Sequence, residues 1–166
     1  MATPLAKTTE VQIVRAVQVM FGLKPGSVYL NNFADATDGT QESINALANN
    51  MAAWTGVTDV DAFATLVRTN LFLTDAYVDD ADLLADIQQF IKTTLVRAGE
   101  ANWGQAALNL ANVWATDPEG QTGAPEAQDA YNNSILNSYT YSSNPLNTST
   151  EPTTDDSGSQ IGQTFT

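Results

Sequence analysis

Apolar residues recur at three- and four-residue spacing from Ile13 to Trp114, a period that dictates helices rather than strands. Ile13, Val14, Val17, Met20 and Phe21 make the first stripe, with Thr8 or Thr9 placed to cap it. Gly22 stands where a helix C-cap belongs, and Pro25 stops continuation. A short helix over Ser27 to Ala36 carries Val28, Leu30 and Phe33, and Asp35-Ala36-Thr37-Asp38-Gly39 reads as a turn. Ile44, Leu47, Met51 and Trp54 mark the next helix, which Gly56 ends. Thr58-Asp59-Val60-Asp61 has the outline of a capping box ahead of the stripe Val60, Phe63, Val67 and Leu71. A long helix from about Asp79 to Ala98 presents Leu84, Ile87, Phe90, Ile91 and Leu95. Its acids lie at the start and Lys92 and Arg97 near the end, as the helix dipole prefers. One more, from Ala101 to Ala115, sets Trp103, Ala107, Leu110 and Trp114 on one side.

The pattern weakens after Asp117-Pro118-Glu119-Gly120. Gln121 to Pro125 reads as a loop and Ala127 to Leu136 as a weaker helix. From Ser142 the residues are mostly Ser, Thr, Asn, Pro, Gly and Asp, which bury too little apolar area to offset their ordering entropy. Only Ile161 and Phe165 suggest the start of a strand. The sequence predicts an all-α fold, a compact bundle of five to seven short helices over residues 1–141, followed by an extended polar linker over 142–166.

Charge narrows the functions open to such a bundle. Six Lys and Arg stand against nineteen Asp and Glu, a net charge of −13. That surface repels phosphate, so no nucleic-acid partner is expected. The chain has no Cys and no His, which removes the usual zinc ligands and the imidazole base of nucleophilic triads. No carboxylate pair stands out as acid and base, so the sequence predicts a protein that is not an enzyme. No window approaches the ~18 apolar residues of a membrane span, and no transmembrane segment is expected. The N-terminal residues lack the apolar run of a signal peptide. An export signal is expected elsewhere, read by a type I system on a longer chain.

Two stretches carry a resemblance. Val19-Met20-Phe21-Gly22-Leu23-Lys24-Pro25-Gly26-Ser27-Val28-Tyr29-Leu30-Asn31-Asn32-Phe33 resembles a bacterial helical module found in secreted repeats-in-toxin proteins and alphaproteobacterial surface-layer proteins. In that module a helix ends in an aromatic and a Gly, then a Pro-containing turn leads into a second helix. Gly158 to Thr166 is similar to the junction at which such proteins pass into calcium-binding β-roll repeats. The resemblance implies the N-terminal part of a secreted cell-surface protein. Its partners would be surface glycan (lipopolysaccharide), sister subunits of a surface layer, or both, with calcium as the assisting cofactor. The competing readings are a helical accessory domain of a secreted enzyme or toxin, and a subunit of a self-assembling filament.

Candidate site residues are each weighed against a plainer role. Asp79, Asp80 and Asp82, in a run with Asp75 and Asp86, offer oxygens to calcium, yet they suit the solvated start of a helix and that reading is favoured. Asp35 and Asp38 offer the same in a loop whose Asp and Gly a tight turn needs anyway. Trp54, Trp103 and Trp114 can stack on sugars, but their stripes favour the core. Tyr131-Asn132-Asn133-Ser134 can dock a neighbouring subunit or form an irregular helix end.

Overall fold

The computed structural model describes residues 3–153. Thr8 opens helix α1 (Thr9–Phe21), its hydroxyl accepting from the Val11 amide at 3.2 Å. Gly22 closes it in the left-handed region at φ 64°, donating back to the Gln18 carbonyl. Helices α2 (Ser27–Asp35), α3 (Gln41–Trp54), α4 (Val60–Asn70), α5 (Ala81–Ala98), α6 (Trp103–Trp114), α7 (Pro118–Gly123) and α8 (Pro125–Ser143) follow. Side-chain caps start several of them: Thr40 before α3, Asp59 before α4, Asp80 before α5 and Asp117 before α7. The cap of α4 is therefore Asp59, one residue later than the expected Thr58, because the Asp59 carboxylate reaches the Ala62 amide at 2.9 Å.

α1 lies at the centre of the bundle. Every residue from Val11 to Met20 is buried, including Gln12, Arg15 and Gln18. Such a helix must satisfy its polar groups internally. Gln18 donates to the Asn70 carbonyl at 3.1 Å, and the Asn70 amide donates back to the Val19 carbonyl at 2.9 Å. Arg15 donates to Asn112 Oδ1 and to the Leu5 carbonyl. α3 crosses α6 so closely that a Cβ on Gly104 would lie 2.5 Å from the Asn49 backbone nitrogen, and the Asn49 side chain accepts from the Gln105 amide at 2.7 Å. Trp103 stacks on Phe63 with ring centroids 5.0 Å apart. Both core tryptophans donate their indole N–H to carbonyls, Trp103 to Leu95 and Trp114 to Leu71.

The second half departs from the expected pattern. Gln121 to Pro125 is not a loop: Asp117 caps a six-residue helix with Pro118 in its first turn, and Gly120 lets that turn press on Trp114. Ala124 then leaves the helical region, at φ −147° and ψ 55°, before Pro125, which starts α8. α8 runs nineteen residues instead of ten. Its inner face is built partly from Ser134, Ser138 and Ser142, buried small residues that blur the apolar stripe. Asn144 to Asn147 make a turn, closed by the Asn147 amide donating to the Asn144 carbonyl, and the residues to Thr153 lie along the bundle. β2 (Glu151–Pro152) pairs antiparallel with β1 (Leu23–Lys24), and Thr153 donates its hydroxyl to Gln18 and its amide to the Gly22 carbonyl. Gly26 has no room for a side chain here, since its Cβ would meet the backbone of Thr148 and Ser149. Ile161, Phe165 and the stretch Gly158 to Thr166 lie outside the described residues.

Candidate functional site

Three surface features carry chemistry. The carboxylates come first. Asp80 accepts from the Leu83 amide at 3.0 Å as the α5 cap. Asp79, Asp80 and Asp82 line an open hollow with Glu126 of α8. Asp35 is the last residue of α2 and exposed. Asp38 turns its carboxylate onto the Thr40 amide at 3.0 Å and hydroxyl at 2.6 Å, and those bonds hold its pKa at about 2. Among the described residues no group of three carboxylates is placed to share a metal ion.

The second feature is aromatic and contradicts the core reading of Trp54. Trp103 and Trp114 are buried, whereas Trp54 is 58% exposed. The buried face of α3 runs through Ile44, Ala48, Met51 and Thr55, which leaves Trp54 at its edge. There its ring stacks on Phe33 of α2, centroids 6.3 Å apart and 27° between planes. Phe33 in turn meets Tyr29 at 6.3 Å, and Tyr29 is 52% exposed. Three rings from two helices thus form one strip open to solvent. Asn50, exposed and one turn before Trp54, and Asn32, three residues after Tyr29, put amides nearby. Of the stretch Tyr131-Asn132-Asn133-Ser134, Tyr131, Asn132 and Ser134 are buried inside the fold, where Asn132 donates to the Ala115 carbonyl, and Asn133 is exposed.

The third feature is an apolar groove of ≈ 370 Å³ between α5 and α6. Leu83, Ile87 and Phe90 of α5 face Leu110 and Val113 of α6 across it. The expected α5 stripe is therefore only half used: Ile91 and Leu95 enter the core, while Phe90 is 63% exposed. Phe72, at φ 65°, takes the left-handed backbone that turns its ring into the core against Tyr77 and Tyr131, while its neighbours Leu71 and Leu73 line the groove.

No helix among the described residues is long and apolar enough to cross a membrane. No protein-family model, curated protein or solved structure matches the chain.

Proposed function

We propose that this chain is a non-enzymatic interaction domain that holds a secreted bacterial protein at the cell surface by binding glycan. The observation that carries the reading is the open strip Tyr29–Phe33–Trp54. Large aromatic rings left in water cost solvation free energy, and a contiguous patch of them marks a binding surface. The apolar C–H faces of a sugar ring fit a flat aromatic, and neighbouring amides suit its hydroxyls. At a net charge of −13 the compatible glycans are neutral ones, or anionic ones such as lipopolysaccharide joined through calcium. Co-sedimentation with lipopolysaccharide and with neutral polysaccharide, with and without calcium, tests the reading. Wild type is expected to bind and to shift its tryptophan emission, and Trp54→Ala to bind at least tenfold more weakly. Absence of binding in all conditions, or binding that ignores Trp54→Ala, removes the proposal.

A further inference from the structure

We infer that the groove between α5 and α6 receives an amphipathic helix of a partner protein, apolar along one face and ending in Lys or Arg. Leu83, Ile87 and Phe90 repeat at four- and three-residue spacing, so α5 offers a stripe with no helix over it among the described residues. From Leu83 to Thr94 the groove follows α5 for ~16 Å, about three turns of a partner helix. Two exposed ridges with an apolar floor between them is the arrangement that takes a third helix by its apolar face.

Charge selects the partner. Asp117 and Glu119 line the α7 end of the groove, and Gly123 and Ala124 belong both to the groove and to the hollow of Asp79, Asp80, Asp82 and Glu126. The apolar channel thus opens directly onto carboxylates. None of these six is in an ion pair among the described residues, where the ion pairs are Lys24–Glu151 and Lys92–Asp61. None of the chain's six Lys and Arg pairs with these carboxylates among the described residues. Arg15 is buried, Arg68 donates to Gln88 and the Leu73 carbonyl, and Arg97 lies ~22 Å along α5 from Asp82. A second copy of this chain would bring a charge of −13 to the same place, which repels it. A basic end on the partner answers the carboxylates and fixes its direction in the groove.

A labelled synthetic helix with Leu on one face and Lys on the other, titrated into the full chain by fluorescence anisotropy, tests this. Two control peptides keep its length, one with Ser for every Leu and one with Glu for every Lys. Each control is expected to bind at least tenfold more weakly. Phe90→Ser and Val113→Asp should each weaken the Leu/Lys peptide at least tenfold. Both side chains are more than half exposed, so the fold tolerates the changes, and circular dichroism checks it. Val113→Asp adds negative charge, so a loss there cannot come from weaker attraction. Equal binding of the Ser/Lys peptide, or binding indifferent to both variants, overturns the inference. So does sedimentation showing a dimer that Val113→Asp dissociates, since the occupant is then a second copy. Trp54→Ala should leave this binding unchanged, which separates the result from that of the glycan experiment.

Discussion

Gly104→Ala is the most demanding single-methyl test of the packing. The new Cβ would overlap the carbonyl of Ala48 and lie 2.5 Å from the Asn49 nitrogen, both rigid backbone of α3. Ordinary contact needs roughly 3.5 Å, so the helices must part by about an ångström. A gap of that size forfeits a quarter to a half of the dispersion well for the atoms it separates, and overpacking of cores costs ~1–3 kcal/mol. Parting also stretches the 2.7 Å bond from the Gln105 amide to Asn49 Oδ1, worth about 1 kcal/mol. Against this stands a helix-propensity gain of up to ~1 kcal/mol for Ala over Gly. The net expectation is a loss of about 2–3 kcal/mol, or roughly 4–12 °C in Tm for a chain of this size. Gly123→Ala is the control: nothing lies within 4 Å of its Cβ position, so stability should stay within about 0.5 kcal/mol. Urea unfolding followed by circular dichroism reads both. A Gly104→Ala variant as stable as wild type would mean that α3 and α6 do not meet backbone to backbone.

Tyr131→Phe should be neutral or stabilising by about 1 kcal/mol in thermal unfolding, because the buried Tyr131 hydroxyl has no hydrogen-bond partner among the described residues and its desolvation is uncompensated. Burial also pushes the Tyr131 phenol above its ordinary 10.0. The folded state therefore holds this proton more tightly than the unfolded one, so the stability it confers is complete below pH 10 and falls above it by ~1.4 kcal/mol per pH unit. Tyr131→Phe should flatten that alkaline fall, and an unchanged slope would refute the burial argument. Asp80→Ala removes the α5 cap and should cost about 1 kcal/mol in urea unfolding. Trp103→Ala, which empties a site stacked on Phe63, should cost ~3–5 kcal/mol, whereas Trp54→Ala should cost under about 1 kcal/mol.

Most of the fold was legible because local signals agreed with the global one. Thr8 and Gly22 bracket α1 as cap and left-handed stop, and the structure uses both in those roles. The failures lie where a helix is held by contacts that periodicity does not encode. α7 has no stripe; it exists because Asp117 and Pro118 start a turn and Gly120 lets it sit on Trp114. α8 presents serines inward, which spacing arguments count as polar, and the close approach they permit is a property of its neighbours. The docking of residues 144–153 depends on the Gly26 and Ser27 amides, which donate to Thr150 Oγ1 and the Asn147 carbonyl, and on the Gly22 carbonyl, which accepts from the Thr153 amide, partners more than a hundred residues away.

The candidate sites were less legible for one physical reason. A helical stripe states that a face avoids water; it does not state what covers it. Trp54 and Phe90 obey the same spacing rule as Met51 and Ile91, yet the first pair is exposed and the second buried. In α3 the buried face continues by a step of four, from Met51 to Thr55, so the step of three to Trp54 leads outward. In α5 only Ile91 and Leu95 are fully buried; Leu83 and Ile87 are half-buried against the core and, with exposed Phe90, leave an apolar stripe along the groove. Those two overruns, one aromatic and flat, the other aliphatic, grooved and edged with carboxylates, differ in what they can take. A flat face suits a sugar ring, while a long groove with an acidic mouth suits a helix with a basic end. The two binding proposals therefore rest on separate residues and fail separately: Trp54→Ala tests the first without touching the second, and Val113→Asp does the reverse.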